Sequence, residues 1–318
     1  MKNKYCLLLK DVLDTRNLQE ASPELEIALE GLIDGDPEYV ILDHIDNLCY
    51  EAFKMLPSIE EEKRLFRFAG FPIVSEDGNW HGANCPLIGD IKNNQITLSS
   101  PKGFNDPMDP LIKEWVRLKR NRFRINPKNG NLYQRIDKTL DKIRICCLVD
   151  PSRNCETGHK LFPHKRSKGN VLPSVKDCSP LMWAHYAKNH QGLCIEYRVK
   201  KSNLEDTDRR VVRLLNVEYN KAFPLNGDMP FTDSLVVKAQ CWNYENETRL
   251  IMYSRDNEAK FCQLSNFEIV AVYMGCRIGE EQSTYLKNML KGSRIRLFQM
   301  EFSVDDISKL VAHEIKDE

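Results

Sequence analysis

A series of short apolar runs constrains this chain more than any other feature. "RLFRFAGF" (64–71), "NQITLSS" (94–100), "KIRICCLVD" (142–150) and "LCIEYRV" (193–199) have the length and composition of strands. "VVRLLNVEYN" (211–220), "RLIMYS" (249–254), "IVAVYMG" (269–275) and "RIRLFQMEFS" (294–303) continue the series. One stretch among them, "GEEQSTYLKNMLKG" (279–292), has helical spacing. Strands outnumber helices, so the chain reads as α+β, with a mixed or split sheet and flanking helices. No internal repeat is visible, and the polar residues 151–179 read as a long loop.

A second helix is expected over residues 180–191. Ser179 suits the cap, Pro180 the first turn and Gly192 the stop. Its sequence, "PLMWAHYAKNHQ", carries an unusual load of hydrogen-bonding rings. Trp183, Tyr186 and His190 fall on one face, and Met182, His185 and Asn189 on the next. An aromatic stripe is more often core than site, yet two histidines, a tyrosine and an asparagine need partners if buried.

Charge separates the ends of the chain. Residues 1–62 hold 15 acidic and 5 basic side chains, while the whole chain has formal net charge zero. Ser22 and Pro23 start one helical pattern, and Asp36 and Pro37 a second, with Ile41, Ile45, Leu48 and Ala52 at helical spacing. The chain is therefore expected to be an all-helical acidic extension, 1–62, followed by an α+β domain, 63–318. The basic run 113–128 has seven Lys or Arg and one Glu. It reads as a solvated helix face, or as a surface that meets the phosphates of a nucleotide or a nucleic acid, or that takes a protein acceptor. No apolar run reaches the length of a membrane span, so a cytoplasmic protein without membrane partners is expected. Oligomeric state has no signature here.

Several chemistries lack their motifs: there is no P-loop, dinucleotide fingerprint, HExxH, GxSxG or zinc-deaminase pattern. The eleven cysteines include no CxxC. One loose set, Cys155, His159, His164 and Cys178, has irregular spacing, and no metal site is assigned. Three clusters remain. "KGFNDPMD" brings Asn105, Asp106 and Asp109 into a turn, which Asn and Asp form without any functional demand. The Trp183–His190 helix is the second. The third, "QCWNYENETRLIM" (240–252), has Trp242 and Tyr244 before Glu245, Glu247 and Arg249. The last three alternate as on a strand that leads into apolar sequence, a setting that perturbs carboxylate pKa values.

"SSPKGFNDPMD", "LMWAHYAKNHQGLCIEY" and "CWNYENETRL", in that order, resemble the bacterial domain-of-unknown-function family numbered 2971 over about residues 64–303. Thr248 stands where that pattern has Trp. The family supplies positions but no activity. The motif order is also similar to ADP-ribosyltransferases, which hold NAD in a split sheet. That similarity implies an Arg on a first strand, here Arg67, a Ser on a second, Ser99 or Ser100, and a Glu on a late strand, Glu245 or Glu247.

Cleavage of the nicotinamide–ribose bond passes through an oxocarbenium-like transition state, which a nearby carboxylate stabilises. Glu247 is expected in that role, with Glu245 activating the acceptor and Arg67 gripping pyrophosphate or ribose. Tyr186 or Trp183 would stack on nicotinamide and His185 bond the sugar. Asn105, Asp106, Ser99, Ser100, Trp242 and Arg249 would complete the substrate site. The expected activity is NAD-dependent ADP-ribosyl transfer or NAD hydrolysis, as in a toxin or phage-defence effector. Two alternatives stay open: a metal-dependent nuclease or phosphoesterase using Asp106, Asp109, Glu245, Glu247 and His185, and a non-enzymatic binding module.

Overall fold

A computed structural model describes residues 50, 53–54, 56, 58–59, 62–71, 86–104, 106, 109, 141–152, 164–167, 170–173, 179–200, 209–220, 233–255, 261–263, 267–305 and 309–316. Apolar strand sequences dominate it. β1 (Lys63–Ala69), β3 (Ile143–Val149), β6 (Leu193–Val199), β7 (Arg210–Asn216), β10 (Glu247–Ser254), β12 (Phe267–Met274), β13 (Arg296–Phe302) and β14 (Leu310–Ile315) form one mixed sheet. Its order is β14-β13-β12-β6-β1-β3-β10-β7. Every neighbouring pair is antiparallel except β12 and β13. That parallel pair requires a crossover, supplied by helix α3 (Glu280–Leu290).

Strand alternation sends two sets of side chains to opposite faces. One face packs Leu65, Ile195, Leu250 and Val272 against α3 and against α1 (Pro86–Asn93). The other packs Phe66, Cys194, Tyr273 and Phe298 with Met182 and Trp183 of α2 (Ser179–Tyr186). The α1 stripe Leu87, Ile88 and Ile91 has no counterpart among the expected elements, because eight residues give little periodic signal.

The sheet is nearly divided in its middle. β1 and β6 register over seven residue pairs, but β1 and β3 at one, Phe66 with Val149. Four residues back along β3, Ile145 instead exchanges both backbone hydrogen bonds with Ser99, at 2.8 and 2.9 Å. The expected α+β architecture is thus observed, with a sheet that is both mixed and partly split.

Three local expectations need correction. The helix expected over 180–191 ends at Tyr186, because Lys188, Asn189 and His190 all adopt positive φ, 49°, 53° and 67°. Close backbone contact then demands glycine. A Cβ on Gly192 would lie 2.2 Å from the Ala69 carbonyl oxygen, and one on Gly275 2.1 Å from that of His190. The loop expected over 151–179 contains a hairpin, β4 (His164–Ser167) and β5 (Asn170–Pro173). The run 211–220 is broken at Val217: β8 (Glu218–Asn220) leaves the large sheet and pairs in parallel with β9 (Val237–Ala239). A further short pair joins β2 (Gln95–Thr97) to β11 (Phe261–Gln263).

The helices expected before residue 50 lie outside the described residues, as does the basic run 113–128. What is described of 50–59 packs on the β7 edge. Phe53 is fully buried and stacks on Tyr253 at 5.4 Å. The Arg213 guanidinium donates to the carbonyls of Lys54 and Leu56, and the Ile59 N–H to the Leu214 carbonyl. No helix among the described residues is long and apolar enough to cross a membrane.

Candidate active site

Where β1 and β3 part, a cavity of about 690 Å³ opens on the α2 side of the sheet. Phe68, Cys147 and Val149 supply its strand wall, Met182, His185 and Tyr186 its helical wall. Ser99, Phe104, Asp106 and Asp109 come from the segment after β2, and Lys238, Trp242, Glu245 and Glu247 from β9 to β10. The volume is in the range of small-molecule sites.

Glu245 and Glu247 do not converge by strand alternation. Gln240–Glu245 is a 3₁₀ turn, and Asn246 is left-handed at φ 46°, ψ 49° before β10 starts at Glu247. That kink turns both carboxylates toward one buried ammonium. Lys238 Nζ donates to Glu245 Oε2 at 2.5 Å and to Glu247 Oε2 at 3.1 Å, and lies 3.1 Å from Asp109 Oδ2. Arg249, which does alternate with Glu247 on β10, forms a second tie. Its Nε donates to Glu247 Oε1 at 2.7 Å, and its Nη2 to Asp109 Oδ1 at 2.5 Å. The Tyr186 hydroxyl donates to Glu245 Oε1, and the Glu247 N–H to the Tyr219 hydroxyl oxygen at 2.8 Å.

The two glutamates end up in opposite states. Burial raises the Glu245 carboxyl to about 7, against the pull of Lys238. Burial acts on Glu247 in the same sense, but Arg249 and Lys238 outweigh it and hold that carboxyl near 2. Desolvation alone would lower Lys238; Glu247, Asp109 and Glu245 together keep it charged. Burial, then Glu245, push the Tyr186 hydroxyl up, so it stays a donor. Cys147 is exposed on the cavity wall, and its thiol is pushed up by desolvation and by the neighbouring Glu247. One carboxylate fixed as an anion beside one that exchanges a proton near neutrality is an acid–base arrangement.

Half-exposed rings form the rim. His185 Nδ1 and the Tyr244 hydroxyl are 3.0 Å apart, and the His185 ring meets Tyr186, Trp242 and Tyr244 at 6.2 to 6.3 Å.

Not every residue singled out in the sequence belongs here. Arg67 alternates with Phe66 and Phe68 and so faces the other side of the sheet, where its Nη1 donates to Asp90 at 2.8 Å. Trp183 is buried in the core against Phe68 and His190 and does not line the cavity. Ser100 caps the 3₁₀ turn Pro101–Gly103 by accepting from the Lys102 N–H, whereas Ser99 is on the wall. Arg249 stands behind Glu247. Asn105, Cys155, His159 and Cys178 lie outside the described residues, and so does the side chain of His164. Among the described residues, no group of three or more His, Cys, Asp or Glu is arranged to hold a metal ion. Asp109, Glu245 and Glu247 do converge, but on the Lys238 ammonium. Lys238 and Tyr219 are the residues that sequence reasoning missed.

Residues 182–250 match the family described as "Protein of unknown function (DUF2971)". The resemblance read from the sequence therefore holds from α2 into β10. That DUF2971 span contains Met182, His185, Tyr186, Lys238, Trp242, Glu245 and Glu247, all on the cavity wall. No characterised protein and no solved structure matches the chain.

Proposed function

We propose that this cavity cleaves the N-glycosidic bond of NAD or a related nucleotide, passing the ADP-ribosyl group to an acceptor or to water. The observation that supports this reading is the pair Glu245 and Glu247, one proton-exchanging and one fixed as an anion, on the wall of a cavity at the parting of a sheet. Bond cleavage sends the electron pair of the C1′–N bond to nicotinamide and leaves positive charge on the ribosyl ring. The ionised Glu247 stabilises that charge from a site of low permittivity. Glu245 takes the acceptor's proton as its oxygen bonds to C1′. Tyr186 and Lys238 hold the Glu245 oxygens, and Trp242 and His185 offer ring faces to the base. Arg67 has no part in this scheme.

The nuclease reading is weaker because Lys238 occupies the position where three carboxylates would have to meet a cation. An NAD-consuming activity would suit a toxin or phage-defence effector.

The test is nicotinamide release from NAD by the purified full-length protein, with and without nucleic acid or protein acceptors, in wild type and Glu245→Gln. Release by the wild type, falling at least about a hundredfold in the variant, supports the reading. Equal release by both, or none under any condition, removes it.

A further inference from the structure

The break in the sheet leaves one rung of its ladder unmade. Phe66 pairs with Val149, and Ile145 exchanges both backbone hydrogen bonds with Ser99. Residues two apart on an antiparallel strand present their N–H and C=O to the same edge. The Cys147 N–H and C=O therefore point the same way as those of Ile145 and Val149, away from β10. Continuing the Phe66 register, the residue opposite Cys147 is Phe68, and these two are not paired. Among the described residues, no strand pairs with Cys147 on that edge, and its carbonyl meets the Cys146 thiol, a weak donor, at 3.9 Å.

The cavity reaches this rung. Leu148 packs its side chain into the core on the α1 and α3 side of the sheet, so what it adds to the cavity wall between Cys147 and Val149 is backbone. Cys147 itself is exposed there, and its thiol is hydrogen-bonded to Glu247, so the rung adjoins the acid–base pair. The rings of Phe68 and Phe104 belong to the same wall. In extended backbone the N–H and C=O of one residue lie side by side. A donor beside an acceptor, flanked by rings, complements a flat group with an acceptor and a donor on one edge.

We propose that the unmade Cys147 rung is the specificity element of the cavity, its N–H and C=O binding the amide edge of a flat ring, as in a ring carboxamide or a nucleobase lactam. This rests on the reading above for the kind of ligand, a base on a ribose, and adds which edge of the base is read and by which atoms. Water satisfies the two groups while no ligand is bound. A ring with an amide edge replaces both hydrogen bonds. A ring with the acceptor alone leaves the Cys147 carbonyl without its donor, and a carboxylate sets an anionic oxygen against that carbonyl. The side chain at position 147 does not enter this recognition, because backbone atoms do the reading.

The experiment is calorimetry on the wild-type full-length protein with probes that differ along one edge. Nicotinamide has the amide edge, its methyl ketone analogue acetylpyridine keeps the acceptor without the donor, and nicotinic acid has a carboxylate there. Hypoxanthine and purine make the same comparison for a nucleobase, with and without the lactam. The proposal requires an amide of at least one set to bind at least about tenfold more tightly than its partners. It also requires the Cys147 N–H proton signal to move downfield when that amide binds. This signal is identified without a variant. Cys146–Cys147 is the one adjacent cysteine pair in the chain, so in protein labelled at cysteine nitrogen and carbonyl carbon only the Cys147 amide joins two labels. Discrimination among the pyridines assigns the rung to a ring carboxamide, and discrimination among the purines assigns it to a nucleobase lactam. Amides bound no better than their partners, no amide bound up to about 10 mM, or an unmoved Cys147 signal each overturns the proposal. NAD turnover without edge discrimination removes this inference and keeps the glycosidic reading. Edge discrimination without turnover does the reverse.

Discussion

Replacing Glu245 by Gln is expected to stabilise the protein at alkaline pH, although it removes a partner of Lys238. Gln keeps the shape: its carbonyl oxygen accepts from Lys238, and its amide donates to the Tyr186 hydroxyl oxygen. Among the described residues it leaves Asp109 and Glu247 beside Lys238 and Arg249. The sign follows from the folded-state carboxyl being raised, from 4.5 to about 7. A raised carboxyl contributes its full stability below the unfolded value and loses it as pH climbs through the folded one. The gap corresponds to about 3 kcal/mol at pH 8.5, and to less than about 1 kcal/mol at pH 5. Wild type and variant should therefore unfold within about 1 kcal/mol of one another at pH 5. At pH 8.5 the variant should lead by up to about 3 kcal/mol, or roughly 5 °C in Tm. Urea titrations followed by circular dichroism at both pH values measure the difference. A variant that is less stable than wild type at pH 8.5 would refute the reasoning, because it would mean that Glu245 is an ordinary ionised partner of Lys238.

Four further outcomes are expected. Tyr186→Phe removes one hydrogen bond, costing about 1 kcal/mol in urea unfolding, but lowers nicotinamide release more steeply than that cost implies. Phe53→Ala should cost about 3–5 kcal/mol, since its ring is fully buried on Tyr253; a loss under 1 kcal/mol would show that residues 50–59 do not stay docked. Arg67→Met should cost about 3–5 kcal/mol by stranding Asp90, while nicotinamide release per folded molecule stays at the wild-type value. Gly275→Ala should abolish soluble expression or cost more than about 3 kcal/mol, because its Cβ would collide with the His190 carbonyl, whereas a wild-type Tm would disprove that contact.

Much of the sheet was legible because its strands are apolar runs with clear ends: 193–199 is β6 to the residue, and 142–150 encloses β3. The helix end at Tyr186 was not, because three consecutive left-handed residues are set by packing between Gly192 and Gly275, which local sequence does not reveal. Within the site, Glu245, Glu247, Tyr186, His185 and Trp242 were found because rings and carboxylates beside an apolar run are conspicuous. Lys238 was invisible: one lysine in "SLVVKAQ" looks like any exposed lysine, and a parallel pairing with β8 buries it. Arg67 illustrates the opposite error. Its place on the first strand suggested a ligand, and strand parity assigned it to the far face.

The single registered pair between β1 and β3 also has a dynamic consequence. By parity with Ile145 and Val149, the Cys147 amide and carbonyl point toward the interval between Ser99 and Phe66, where β1 has already swung away. The molecule thus resembles two rafts, β14 to β1 and β3 to β7, tied by a short mooring. Such a mooring is a place for sub-global opening, with amides that exchange with solvent faster than those of either raft. A ligand seated there would reach both rafts, and the Phe66, Cys147 and Val149 amides should slow together in deuterium exchange when it binds.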